Sequence, residues 1–65
     1  MNPKSLLELL EECKSRGRIE RVSIYSSISG RHITDMDIYD AEDRYGEMVA
    51  IKHQRHKTHI KVWIV

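Results

Sequence analysis

The chain begins with apolar residues at the spacing of one helix face. Because they recur every three or four positions, they predict a helix from about residue 3 to residue 16. Asn2 before Pro3 can cap its start. Ser5 and Glu8 offer an alternative capping box. The predicted apolar stripe consists of Leu6, Leu9, Leu10 and Cys13, widened by Leu7.

Beyond residue 17 the apolar positions alternate with polar ones, which is typical of half-buried strands. Ser29-Gly30 predicts a tight turn, residues 40–45 predict an acidic loop, and residues 55–57 predict the tip of a last hairpin. The order α-β-β-β-β predicts an α+β fold, in which the helix crosses one face of an antiparallel meander. The alternating residues are Val22, Ile24, Ile28, Met36, Ile38, Ile60, Val62 and Ile64.

Length and composition indicate one small domain over residues 1–65. Hydrophobic residues make up 40% and charged residues 32% of the chain, and the mean hydropathy is -0.54, so a soluble globular protein is expected. No apolar run approaches the roughly 20 residues that a membrane helix needs, and residues 1–5 lack the features of a secretory signal. One cysteine, Cys13, cannot form an internal disulfide. These observations predict a cytoplasmic protein with Cys13 as a small core residue.

Charge is distributed unevenly although the net charge is only +1. Residues 34–47 contain six acids and one base, whereas residues 52–61 contain four bases, three histidines and no acid. The two segments could face each other and neutralise on folding. Otherwise the molecule is dipolar, with a positive surface at one side.

The basic stretch at residues 52–61 predicts a nucleic-acid-binding hairpin, because Lys and Arg on a protruding element contact phosphates. Gln54 or Arg55 could reach a groove edge, and Tyr25 or Trp63 could stack on a base. Arg31 or Arg18 could supply a further phosphate contact. The predicted nucleic-acid-binding residues are Lys52, Gln54, Arg55, Lys57, Lys61 and Arg31.

The last strand is apolar on both faces, and the helix can cover only one of them. Trp63 and Val65, with Tyr25 and Ala50 as neighbours, predict an interface on the other face, and a homodimer is the expected cover. A bound protein or a loop folding back are the alternatives. This face supports the alternative function, a protein interaction module such as an adaptor or protein inhibitor.

Catalysis and metal binding have little support. Asp35 and Asp37 would lie about 7 Å apart on a strand, which is wide for one ion, and the acidic segment lacks the EF-hand pattern. The histidines, His32, His53, His56 and His59, have no cysteine or carboxylate partner for zinc. The serines and glycines form no nucleophile elbow or phosphate loop. We therefore expect a binding protein, not an enzyme, with no metal or cofactor.

Overall fold

A computed structural model describes residues 4–65 of the chain. The α+β class is confirmed, and these residues form two helices and one mixed four-stranded sheet. Neither helix in this range is long and apolar enough to cross a membrane. In chain order the elements are α1 (Leu6–Arg16), β1 (Arg21–Ser26), β2 (His32–Asp37), α2 (Ile38–Tyr45), β3 (Ala50–Arg55) and β4 (His59–Ile64).

Helix α1 begins at Leu6 and not at residue 3. Ser5 has extended backbone angles and caps the helix, and its Oγ accepts a hydrogen bond of 3.3 Å from the Glu8 N–H. The predicted cap at Asn2 and Pro3 lies outside the described residues. At the other end the Gly17 N–H donates to the Cys13 carbonyl at 3.2 Å, so the predicted helix end is confirmed.

The segment predicted as a strand end and an acidic loop is helix α2. Asp37 is its N-cap, and Asp37 Oδ1 accepts a hydrogen bond of 2.9 Å from the Asp40 N–H. Ile38 and Ala41 are both buried, three residues apart on one helix face. The loop prediction was wrong because a short helix with an aspartate cap has the same acidic composition as a loop.

The sheet is not a meander. Its strand order is β2-β1-β4-β3, and β1 runs parallel to β4 while the two hairpins are antiparallel. The chain therefore consists of two successive helix–hairpin units that join along β1 and β4. Helix α2 carries the chain from one edge strand to the other, as a parallel pairing requires. Because the sequence pattern did not predict α2, it favoured consecutive antiparallel strands.

Both helices contribute to one core on a single face of the sheet, here called the covered face. Ile28 was expected on a strand but lies in the β1–β2 turn and is 88% exposed. Gly30, also in that turn, has φ 74°, a conformation that favours glycine. The core residues are Leu6, Leu9, Leu10, Cys13, Ile19, Val22, Ile24, Met36, Ile38, Ala41, Ile60, Val62 and Ile64.

The loop between α2 and β3 holds the start of α1 in place. The Leu6 N–H donates to the Met48 carbonyl at 2.8 Å, and the Ala50 N–H donates to the Lys4 carbonyl at 3.0 Å. Between the helices, Lys14 Nζ is 2.7 Å from Glu42 Oε1, and this hydrogen bond raises the pKa of Lys14. The helices are thus fixed to each other on the covered face, and neither crosses to the opposite face.

Candidate nucleic-acid interface

The opposite face of the sheet, here called the open face, carries a row of rings that ends in a cation. Strand pairing aligns His32, Tyr25, Trp63 and Lys52 across all four strands. The Tyr25 and Trp63 rings stack with centroids 4.9 Å apart and planes 21° apart. The edge of His32 meets Tyr25 at 5.2 Å, and Lys52 Nζ lies 5.0 Å from the centre of the Trp63 ring system. We call these four residues the aromatic row.

Two register shifts build the aromatic row. The pairing of β1 with β2 skips Ile33, and the pairing of β3 with β4 skips Ile51. A bulged residue changes which face its neighbours point to. The shifts therefore place His32 and Lys52 on the open face, whereas the residues two positions away, Thr34 and Ala50, pair with core residues on the covered side.

A polar network lies next to the aromatic row. Ser23 Oγ is 2.6 Å from His59 Nε2, and His32 Nε2 is 2.9 Å from Asp35 Oδ1. The pKa of Asp35 is lowered, first by hydrogen bonding from the Ser23 hydroxyl and then by His32. Because Ser23 is only 5% exposed, this serine is better placed to brace the sheet than to attack a substrate.

Lysines extend from the aromatic row to the hairpin tip. On the open face Gln54 pairs with Lys61, next to Lys52, and Lys57 lies in the tip between β3 and β4. Within residues 4–65 none of Lys52, Lys57 and Lys61 forms an ion pair. From Trp63 to His59 this surface runs about 13 Å along β4 by strand rise. We call Lys52, Gln54, Lys57 and Lys61 the basic track.

Arg55 was predicted to act with these lysines, but the structure places it on the other side of the sheet. It pairs with Ile60, so its side chain is on the covered face, and Arg55 Nη1 donates to the Cys13 carbonyl at 3.1 Å. His53 pairs with Val62 and lies on the same side. Successive residues of a strand point to opposite faces, so a continuous basic stretch is divided between two surfaces.

The other predicted phosphate contacts lie away from the basic track. Arg31 is exposed in the β1–β2 turn, and its carbonyl accepts from the Ser26 N–H at 2.9 Å. Because β1 and β4 are parallel, this turn is at the opposite end of the sheet from the β3–β4 tip. Arg18 is paired with Glu20 at 3.0 Å. The structure thus brings together four of the six predicted residues.

The predicted interface residues divide in a similar way. Tyr25 and Trp63 are half-buried on the open face, and Val65 is 56% exposed after the end of β4. Ala50 was expected beside them, but it pairs with Ile64 and packs against the core. The exposed isoleucines at the register shifts, Ile33 at 48% and Ile51 at 54%, were not predicted, because no sequence pattern marks a bulge.

The acidic and basic segments do not neutralise each other within the described residues. Strand β2, which carries Asp35 and Asp37, and strand β3, which carries Lys52, form opposite edges of the sheet. None of the ion pairs in residues 4–65 joins residues 34–47 to residues 52–61. The open face is therefore dipolar, with its positive half on β3 and β4.

The histidines are also separated. His53 lies on the covered side, whereas His59 bonds to Ser23 on the open face and stacks on His56 with ring centroids 5.7 Å apart. In residues 4–65 no group of three histidine, cysteine or acidic side chains is placed to hold a metal ion. Comparison with protein-family models, with curated proteins and with solved structures finds no match to this chain. Its function has to be inferred from the open face itself.

Proposed function

We propose that this protein binds single-stranded nucleic acid on its open face. In this proposal the basic track contacts phosphates and the aromatic row contacts bases. The observation that carries the proposal is the direct junction of the two, because Lys52 belongs to both and lies 5.0 Å from the centre of the Trp63 ring system. Proteins that bind single strands commonly combine aromatic side chains with a positively charged groove along the backbone.

The lysines are suited to phosphates because no carboxylate among residues 4–65 pairs with them. Lys52 and Lys61 follow one another along the positive half of the open face, and Lys57 continues the line at the tip. A salt-dependent affinity is expected, since each phosphate that a lysine neutralises releases a counterion. Asp35 and Asp37 on β2 would repel a backbone, so the strand should follow β3 and β4.

The aromatic row favours unpaired bases over a duplex. Bases in a duplex are stacked on each other, whereas a single strand can turn its bases toward a protein ring. Tyr25 stacks on Trp63 from β1, and the Lys52 ammonium lies over the Trp63 ring from β3, the strand on the other side of β4. A base that stacks on Trp63 therefore displaces the Lys52 ammonium, which is then free to contact the adjacent phosphate.

Trp63 is the single tryptophan of the chain, so its fluorescence reports on the proposed site. We expect oligo-dT to quench this fluorescence, with a slope of log affinity against log salt of about −2 for three lysine contacts on a single strand. The double variant Lys52→Ala with Lys61→Ala should reduce the magnitude of this slope by about 1.4, because it removes two phosphate contacts. The matched control is Lys14→Ala with Arg44→Ala, which removes the same charge from the helices.

Two results would count against this function. One is the absence of quenching by oligo-dT at low salt, and the other is a control double variant that weakens binding as much as the lysine variant. Equal affinity for duplex and single strand would contradict the role of the aromatic row.

In this proposal the protein is a binding module without catalytic activity. Its buried, unpaired Cys13 suits a reducing compartment such as the cytoplasm.

The competing proposal is a protein interface on the same face, either a homodimer or a different protein partner. It is favoured by the exposed apolar residues around the aromatic row, which are Ile33, Ile51 and Val65. Sedimentation at tens of micromolar, a range set by ordinary interface affinities, distinguishes a homodimer from a monomer. If a homodimer forms through this face, Trp63→Lys should convert it to a monomer, because it places a charge in buried apolar area.

A further inference from the structure

A cleft lies between α1 and β3, on the covered side of the sheet. Its volume is about 450 Å³, within the range of small-molecule sites. Apolar parts of Leu9, Cys13 and Ala50 contribute to its lining, and Arg16, His53 and Arg55 also line it. Because β3 carries Lys52 and Gln54 on the opposite face, this α1–β3 cleft is separate from the basic track.

Arg55 is held in position within the cleft. Its Nη1 donates to the Cys13 carbonyl at 3.1 Å near the end of α1. The guanidinium also lies against Gly17, where a Cβ would be 2.7 Å from Arg55 Nη2. A guanidinium has five N–H donors in a fixed plane, so the hydrogen bond to the Cys13 carbonyl uses one of them and leaves the others for a ligand.

The charge of the cleft is positive. Lys4, Arg16 and Arg55 carry fixed positive charges, and the one acid that lines the cleft, Glu12, is paired with Lys4. The pKa of Glu12 is lowered chiefly by its hydrogen bond with Lys4, and also by the charges of Arg16 and His53. Within residues 4–65 neither Arg16 nor Arg55 has an ion-pair partner. Cations gathered around one cavity repel each other unless an anion joins them.

We propose that the α1–β3 cleft binds a small organic phosphate. Arg55, Arg16 and His53 bind the phosphate group, for which the planar fork of arginine is well suited. The apolar body of the ligand lies on Leu9, Cys13 and Ala50. The volume and the mixed lining together specify this class, since inorganic phosphate would leave the apolar surface uncovered. The site goes beyond the nucleic-acid function proposed above and does not depend on it.

The test is a titration with phenyl phosphate, followed by two-dimensional ¹H–¹⁵N NMR. We expect saturable shifts at the amides of Cys13, Ala50, His53 and Arg55, with Tyr25 and Trp63 unaffected. Phenol and inorganic phosphate should each bind at least about tenfold more weakly, because each lacks one half of the ligand. Equal binding of inorganic phosphate would overturn the role of the apolar surface. The absence of saturation, or shifts spread over both faces, would overturn the site.

Variants separate binding from folding. Arg16→Gln should lower the affinity for phenyl phosphate about tenfold, which is the loss expected for one charge-assisted contact. Gly17→Ala keeps every charge but pushes the Arg55 guanidinium from its position, so it should also weaken binding. Arg44→Gln on α2 is the control and should bind normally. If either cleft variant binds as tightly as the unmodified protein, the proposed phosphate position is wrong.

Oligo-dT at saturation should leave the phenyl phosphate titration unchanged. Competition between the two ligands would place nucleic acid in the cleft instead.

Discussion

The two faces of the sheet are built from the same strands but have different chemistry. On β1 and β4 the even-numbered residues Val22, Ile24, Ile60 and Val62 are fully buried under the helices. The odd-numbered residues of the same two strands include Tyr25 and Trp63, which are half-buried and face outward. The covered face holds the core of residues 4–65, and the open face can carry polar and aromatic residues without loss of that core. The proposed binding function and the packing of the core therefore depend on different residues of these two strands.

The β3–β4 hairpin shows the same division within one basic stretch. Lys52 and Gln54 face outward beside Trp63 and Lys61, whereas His53 and Arg55 face the end of α1. Neighbouring residues thus belong to two different candidate sites. A variant that removes all the charges of the hairpin would affect both candidate sites at once. Only variants that change residues on one face can distinguish the two sites.

The largest expected effect is on the covered face. Ile24→Ala removes a fully buried side chain and should lower the free energy of unfolding by about 2–5 kcal/mol, as other large-to-small core substitutions do. The matched control is Ile28→Ala, since Ile28 is 88% exposed in the turn and should change stability by less than about 0.5 kcal/mol. Urea denaturation measures both. Similar losses at the two isoleucines would mean that the covered face is not the core.

Much of this division could be predicted from the pattern of the chain. The spacing of Leu6, Leu9, Leu10 and Cys13 placed α1, and the alternation at Val22, Ile24, Ile60 and Val62 identified the buried side of the central strands. The parallel pairing of β1 with β4 could not be predicted, because it depends on a crossover through α2. That helix was missed although Asp37 and Asp40, and then Ile38 and Ala41, have helical spacing. Six acids nearby made a loop the simpler interpretation.

The candidate site was predictable in composition but not in geometry. The sequence pointed to Lys52, Lys57 and Lys61 as phosphate contacts and to Trp63 as a stacking surface. It did not show that Tyr25 and Trp63 would be adjacent, because that contact depends on the parallel register. Nor did it show that Arg55 would bond to Cys13. Strand alternation gave a signal for Arg55, since Arg55 and Lys52 lie an odd number of residues apart on one strand.

A second prediction concerns the space available on the covered side. A Cβ at Gly46 would overlap the Glu42 backbone carbonyl and would also touch Leu7. Gly46→Ala should therefore cost about 1–3 kcal/mol, as overpacking usually does. Gly17→Ala is the control, because its Cβ would meet only the flexible end of Arg55. In thermal denaturation, Gly46→Ala should have a clearly lower melting temperature than Gly17→Ala. The reverse order would contradict the close packing of α2 against α1.

A third prediction separates the two faces by charge. Lys57 belongs to the basic track at the hairpin tip, whereas Arg55 of the same hairpin lies on the covered side. Lys57→Gln should weaken the affinity for oligo-dT a few-fold, because it removes one phosphate contact. Arg55→Gln should leave that affinity unchanged. Tryptophan fluorescence titration measures both variants, and equal effects would mean that binding does not distinguish the faces.

The smallest expected effect concerns the polar network of the open face. Hydrogen bonds from Ser23 and His32 lower the pKa of Asp35 below its ordinary value in the folded state. A lowered pKa contributes stability that is present above the unfolded pKa of about 3.9 and is lost as the pH falls through the folded value. Asp35→Asn should therefore lower the melting temperature slightly at pH 7, and the difference should shrink as the pH falls below about 4. Asp43→Asn, an exposed acid on α2, is the control. A difference between Asp35→Asn and the unmodified protein that stays constant down to pH 2 would show that Asp35 stabilises the sheet by packing and not by its charge.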